Sequence, residues 1–468
     1  MKALVFWIAI SKLLVLAIIL FAGIGLMPDE AQYWTWAKEL SYGYYSKPPG
    51  IAWQIAAGCL VFGDTELGVR VGSLVLSFCL SLAIYWLSRC SGLDHKKSFW
   101  ASIAFSFCPL GIFSGFFATT DCAYVLFWTL AASFVCKDLK TNQPLSYIPI
   151  GLVIALGALW KWPMYAIWVP IALYFYKEPL RVCLGILISL LGLLPSLIWN
   201  MQTGFVTFQH VKASIDNPGS IPNPLEFLGA QAALVSPILF VLVLLGVWQY
   251  KGRDLPLRFC KMVSLLFFGV ILVASCFEKV QGNWAVACYP TAFVLMVLYA
   301  SNRWILSGIA LSVAIVGALL VLPIPYKSNP FKPGLGSRLL SQVLANSGYN
   351  PEKDFLFSDR YQITSQLSFY GPKQQRAYFF NIHGLRHNQF DFWPQMHQVC
   401  LEKTGYFVEF STPQDASRAA NRFKQKLLPF FSAVAILPSQ PIYKEDKVAI
   451  ILKASGYTGK MPQAPNKY

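Results

Sequence analysis

The sequence predicts a polytopic α-helical membrane protein with a C-terminal soluble α/β domain, on three observations. Of 468 residues, 56% are hydrophobic and only 13% charged, against roughly 25% charged in soluble domains, too little polar surface to coat a water-soluble globule. Apolar runs approaching the ~20 residues needed to cross the hydrocarbon core recur as far as residue 325. Beyond Pro323-Ile324-Pro325, short apolar runs alternate with amphipathic stretches instead. The same composition excludes disorder, and scattered Gly, Pro and Cys exclude collagen-like and disulfide-scaffold classes.

Taken in order, the candidate spans are residues 1–27, 66–87, 98–117, 122–136, 147–159, 163–176, 182–199, 227–248, 259–277, 284–299 and 304–322. These amount to about eleven crossings, within a range of eleven to thirteen. The first run is too long for a cleavable signal, and more spans follow it. Lys and Arg concentrate in alternate loops: Arg89, Lys96 and Lys97; Lys137 and Lys140; Lys177 and Arg181; Lys251, Arg253 and Arg258; and Arg303. The intervening loops are poorer, holding Lys38, Lys47, Lys161, Lys212 and Lys279. The richer set, with Lys2, is expected to be cytoplasmic. An odd number of crossings then puts the N-terminus in the cytoplasm and residues 326–468 on the far side, in a periplasm or its equivalent. The expected organisation is a membrane domain, 1–325, with an outward loop at 28–64, followed by a periplasmic α/β domain, 326–468, large enough for one core.

The net charge of +16 does not imply nucleic acid, because in a membrane protein the location of charge outweighs its sum. Of eleven cysteines only Cys400 lies in the outer domain, and no CxxC pair occurs, so neither a disulfide framework nor a zinc ribbon is expected.

The most informative segment follows the first span. Asp29 and Glu30 stand side by side at the outer end of a membrane helix, where charge is costly unless it reaches water or serves a site. Trp34, Trp36 and several tyrosines, Tyr45 among them, accompany the pair, and Lys47 precedes a rigid Pro48-Pro49. Interfacial anchoring explains the aromatics; it does not require Asp-Glu beside them. Four further polar groups fall on the same expected face: Thr119-Thr120-Asp121, Trp160-Lys161-Trp162, the His210 and Lys212 segment, and Lys279 with Asn283. Each alone reads as an ordinary hydrated loop end. Together they supply carboxylates for base work and cations for an anion, which is the case for an active site at the outer leaflet.

Across these segments the chain resembles the GT-C polyprenyl-phosphate-sugar glycosyltransferases, the superfamily of protein O-mannosyltransferases and bacterial lipid A aminoarabinose transferases. The matching stretches are DEAQYWTWAKEL (29–40), GYYSKPPGIAW (43–53), FGDTELGVR (62–70), TTD (119–121) and LGALWKWP (156–163). PSLIWNMQTGFVTFQH (195–210), FLGAQAALVSP (227–237), KVQGNWAVACYP (279–290), DRYQITSQLSFY (359–370) and NQFDFW (388–393) extend the likeness over nearly the whole chain. The resemblance implies a GT-C fold and a glycosyltransferase in a bacterial inner membrane. Its donor is a sugar on a polyprenyl phosphate of the undecaprenyl type, and membrane lipids surround it; the motifs do not single out one acceptor, and the bacterial look of the chain favours lipid A or lipopolysaccharide glycan over protein. The absence of a DxD triplet and of a glycine-rich phosphate loop agrees with a donor that is not a nucleotide sugar.

By the same resemblance Asp29 is the catalytic carboxylate of an inverting displacement, and Glu30 orients Asp29, binds the sugar or acts as the base itself. Lys47 holds the carrier phosphate, with Lys161 and Lys212 as further candidates. Asp121 and His210 lie where some members place metal ligands or acceptor contacts. Trp34, Trp36, Tyr45 and Asn283 are candidates for sugar or acceptor contact. Where the aminoarabinose enzymes carry Glu before Lys-Pro-Pro, this chain has Ser46. No metal is therefore assigned and no cofactor is certain, with a divalent cation left open. The alternatives are a protein O-glycosyltransferase, a flippase for lipid-linked sugar, and a structural protein binding polymer through residues 418–426. Span centres nearly free of ionisable residues weigh against the flippase, and a solvated helix face explains 418–426 more simply.

Overall fold

The structure, a computed structural model, describes residues 1–216 and 222–463. Among them, seven helices are long and apolar enough to cross a membrane: Lys2–Phe21, Glu66–Cys90, Thr120–Thr141, Pro179–Thr203, Leu255–Ala274, Gly282–Tyr299 and Asn302–Val321. Two bent pairs raise the number to nine if each crosses once: His95–Phe107 with Pro109–Phe116, and Pro224–Val235 with Pro237–Gln249. These pairs occupy the spans expected at 98–117 and 227–248. Each breaks at a proline, which cannot continue the i→i−4 ladder and clashes with the preceding turn; the bends are 59° and 104°. The stretches expected to cross at 147–159 and 163–176 form the short elements Tyr147–Ala158, Trp162–Ile167 and Trp168–Tyr174. Length and composition thus support seven to nine spans, where the sequence reading expects eleven.

Small and hydroxyl side chains let the central helices approach closely. Along Glu66–Cys90 the buried face carries Gly68, Ser73, Ser77, Ser81 and Ser88, and the hydroxyls of Ser81 and Ser88 close onto carbonyls one turn back.

Beyond the last long helix, short turns lead into a six-stranded sheet. Its strands are β1 Phe355–Ser358, β2 Tyr378–Phe379, β3 Gly405–Ser411, β4 Phe431–Ile436, β5 Gln440–Tyr443 and β6 Lys447–Tyr457. The order is β2-β1-β3-β6-β4, with β5 on β6; β2, β1 and β3 run parallel, and β6 is antiparallel to β3, β4 and β5. Alternation sends Phe355, Phe357 and Phe407 to one core with Phe423 and Phe431, and Leu356, Tyr406 and Val408 to the other with Ile363 and Leu367.

Helix Tyr361–Tyr370, which follows β1, packs on the short helix Pro28–Lys38 after the first span. The Tyr370 hydroxyl accepts from Leu26 N at 2.6 Å and donates to Glu66 at 2.7 Å. Gln366 reaches the Leu26 carbonyl, Arg338 donates to Glu66 at 2.8 Å, and Tyr45 N donates to Gln389 at 2.7 Å. The sheet domain therefore seats the carboxyl ends of β1 and β2 over the loop that carries Asp29 and Lys47.

Candidate active site

Asp29 and Glu30 occupy the first turn of helix Pro28–Lys38, where Pro28 meets no unsatisfied N–H and the N-terminal dipole favours carboxylates. Their environments then separate them. Glu30 is 1% exposed and faces Arg70, itself fully buried. Arg70 Nε donates to Glu30 Oε1 at 2.9 Å and Nη2 to Oε2 at 2.8 Å. The remaining acceptor positions take Ala118 N at 2.9 Å and Met27 N at 2.9 Å. Arg70 also ties down the carbonyls of Ile24 and Gly25. With four donors on its two oxygens, Glu30 has no lone pair directed at a substrate. Of the three roles the sequence leaves open, the geometry fits the first, a strut that orients Asp29.

Asp29 lines a cleft of about 700 Å3 between the two domains, with Arg360, Gln366, Glu409 and Lys447 on the opposite wall. It is open to solvent through that cleft yet crowded by protein on its other sides. Burial holds its carboxyl above the usual range, an effect opposed by Lys47 and Arg386 and reinforced by Glu30.

Lys47 is carried by a tight turn in which Tyr44 N donates to the Lys47 carbonyl at 3.1 Å. Gly50 N then donates to the Leu159 carbonyl at 2.7 Å. A Cβ on Gly50 would stand 2.6 Å from that oxygen and from the Trp160 ring, so only glycine permits this approach. The approach brings Lys47 under the influence of Lys161. Lys161 Nζ donates to Asp121 Oδ1 at 2.6 Å, and Asn283 Nδ2 donates to Asp121 Oδ2 at 2.8 Å. Burial, then Lys161, pushes the Lys47 ammonium below its ordinary pKa; Asp121 and Asp29 oppose the shift. Five sequence-predicted residues are thus linked: Asp29 and Lys47 by their mutual field, Lys47 to Lys161 and Asp121 in the same way, and Asp121 to Lys161 and Asn283 by hydrogen bonds.

His210 adjoins this set, with its ring 4.7 Å from that of Tyr45. Burial, Arg386 and Lys47 push the imidazole down to about 4, so it is neutral at pH 7. Lys212, two residues on, is exposed and points roughly 200° away around the helix, outside this set. The aromatic candidates turn out to be internal. Trp34 is 3% exposed, donates to Asp64 Oδ1 at 2.8 Å and packs edge-on against Phe369. Trp36 is fully buried with its face stacked on Tyr44 at 4.5 Å, and Tyr45 is 3% exposed between His210 and Phe392. The rings proposed for a sugar face are spent on holding the loop. Asp121 is likewise committed to Lys161 and Asn283, and among the described residues no three His, Cys, Asp or Glu side chains come together as a metal site. The residues present do not fit a resident divalent cation at Asp121 and His210.

Two residues escape sequence reasoning. Arg386 follows β2 and acts on Asp29, Lys47 and His210. Tyr361, beside Arg386, lies in the field of Asp29. Both arrive from more than 300 positions beyond Asp29; Tyr361 lies in the DRYQITSQLSFY stretch (359–370), and Arg386 lies in no stretch singled out from the sequence.

An apolar groove of about 400 Å3 opens beside this cluster, lined by Trp162, Tyr165, Leu193, Leu197, Phe208 and Val211. Trp162 and Val211 in its wall are the chain neighbours of Lys161 and His210.

The sequence profile of the dolichyl-phosphate-mannose-protein mannosyltransferase family matches residues 46–199. A lipid A galacturonosyltransferase of Rhizobium johnstonii is 27% identical over 371 residues, 73% of this chain and 76% of that protein. An undecaprenyl phosphate-α-4-amino-4-deoxy-L-arabinose arabinosyl transferase of Pseudomonas fluorescens is 30% identical over 172 residues, 30% of this chain and 31% of that protein. The crystal structure of ArnT from Cupriavidus metallidurans bound to undecaprenyl phosphate is similar in fold, with a TM-score of 0.63 at 14% identity over 95% of this chain and 98% of that one.

Proposed function

We propose that this chain is a membrane glycosyltransferase of the GT-C type that moves a sugar from an undecaprenyl-phosphate-type donor to a lipid A or lipopolysaccharide glycan at the extracytoplasmic face. The observation that carries this reading is the meeting of one accessible carboxylate, Asp29, with Lys47 and Lys161 beside an apolar groove. The groove suits a prenyl chain whose phosphate lies against the two ammonium groups; an anion there relieves their mutual repulsion.

The reaction is a single displacement. The acceptor hydroxyl oxygen forms a bond to the anomeric carbon, the bond from that carbon to the phosphate oxygen breaks with its electron pair, and Asp29 takes the hydroxyl proton. Its raised pKa makes it a stronger base than an exposed carboxylate. A phosphodiester monoanion becomes a phosphomonoester dianion, so Lys47 and Lys161 face more charge as the bond breaks than before. Their stabilisation therefore favours the transition state over bound donor. Opposite placement of base and departing phosphate inverts the anomeric centre. Likeness to the lipid A galacturonosyltransferase and the arabinosyl transferases supports the acceptor and donor classes.

Purified protein given lipid-linked sugar and acceptor tests this. Asp29→Asn is expected to leave the fold intact and abolish transfer. Lys47→Ala is expected to raise donor KM by about tenfold or more, the worth of a charge-assisted contact. Sustained turnover by Asp29→Asn contradicts the base assignment.

A further inference from the structure

We propose that the outer domain holds a second anion site, formed by Arg360, Arg386 and Arg422, that docks a phosphate or carboxylate group of the acceptor glycolipid beside Asp29. The acceptor half of this statement rests on the transfer reaction proposed above; the anion site does not.

A cleft of about 670 Å3 opens at the carboxyl ends of β1 and β2, lined by the three arginines with Tyr361, His383 and Asp359. The position is the one parallel strands favour for ligands. Each guanidinium comes from a different element: Arg360 from the turn after β1, Arg386 from the loop after β2, and Arg422 from helix Pro413–Leu427. Such forks match phosphate and carboxylate geometry better than ammonium groups do.

The arginines retain their charge for a ligand. Arg360 touches Glu409 through a single 3.5 Å approach. Burial and the neighbouring Asp359 push the Glu409 carboxyl up to about 8, which weakens it as a counter-ion to Arg360. Asp359 Oδ1 and Glu409 Oε2 are both buried with no hydrogen bond. The other Asp359 oxygen is engaged by His383. Arg386 contacts the Tyr361 phenol, and Arg422 lies over the Phe423 ring at 5.2 Å. Arg386 is also within the field of Asp29 and Lys47, which joins this cleft to the reaction centre. The donor's one phosphate is already provided for by Lys47 and Lys161 at the membrane side. A second set of cations on the soluble side serves a second anion, and the other substrate is the acceptor.

Binding to full-length protein in detergent tests the site, comparing wild type with Arg422→Gln, a change at an exposed side chain. The probes are inorganic pyrophosphate, bisphosphorylated lipid A, its dephosphorylated form, and undecaprenyl phosphate. Arg422→Gln is expected to weaken pyrophosphate and bisphosphorylated lipid A by about tenfold while leaving the other two unchanged. Equal pyrophosphate binding by both proteins removes the site. Weakened undecaprenyl phosphate binding assigns the cleft to the carrier and overturns the proposal. Arg422-dependent pyrophosphate binding, with no binding of lipid A by wild type, keeps the anion site and removes lipid A as the acceptor.

Discussion

Replacing Glu30 by Ala strips a fully buried guanidinium of its counter-ion. Arg70 Nε loses its acceptor, Nη2 keeps only the Gly25 carbonyl, and the N–H groups of Met27 and Ala118 lose theirs. Breaking a buried pair from one side costs about 3–5 kcal/mol. Each orphaned N–H adds about 1–3 kcal/mol unless water enters. Glu66, 4.0 Å from Arg70 Nη1, recovers part of the charge balance, so a net loss on the order of 5 kcal/mol is expected. Thermal unfolding in detergent, followed by tryptophan fluorescence, reads this out. In a double-mutant cycle with Arg70→Met, the pair is expected to lose clearly less than the sum of the single changes. Activity falls because the first turn of helix Pro28–Lys38 no longer presents Asp29. Glu30→Gln keeps the shape, and transfer by the fraction that remains folded is expected to persist. Wild-type stability with no turnover in Glu30→Gln would transfer the base role from Asp29 to Glu30 and refute this reasoning.

Asp29 carries a pH signature. Its native pKa is raised, so the folded chain binds that proton more tightly than the unfolded chain and loses the corresponding stability as pH climbs through the native value. Asp29→Asn is therefore expected to be at least as stable as wild type at neutral pH, and the acid limb of wild-type kcat to lie above the ordinary carboxylate range. Gly50→Ala drives a Cβ into the Leu159 carbonyl and the Trp160 ring; donor KM is expected to rise about tenfold, comparable with losing one charge-assisted contact, while the C-terminal sheet domain stays folded. Glu409, raised to about 8, makes wild-type stability fall from the usual carboxyl pKa upward and level off above about pH 8. Glu409→Gln is expected to lack that slope in unfolding scans taken across the range.

The chemistry-bearing loop was legible because charge at a membrane boundary is costly, which singles out Asp29, Glu30 and Lys47 before any fold is known. Their division of labour was not, since adjacent carboxylates look alike until Arg70, forty positions on, claims one of them. Trp34 and Trp36 misled for a related reason: an aromatic beside an acid has the same composition whether it stacks on a sugar or on Tyr44. The expected and observed counts part where hydropathy is blind to length and direction: 147–159 and 163–176 are apolar yet fold into short helices, and Pro109 and Pro237 bend apolar runs without making them less apolar. Arg386 and Tyr361 were beyond reach because their meaning comes from sheet topology, which places the ends of β1 and β2 over a loop near the start of the chain.

The central claim is that the carrier phosphate and the base meet at one crevice. A structure determined with undecaprenyl phosphate bound tests it most directly. The phosphate is expected against Lys47 and Lys161, with the prenyl chain entering the groove past Trp162 and Asp29 facing the open side of the phosphate. A phosphate seated away from Lys47, or screened from Asp29 by intervening protein, contradicts the account.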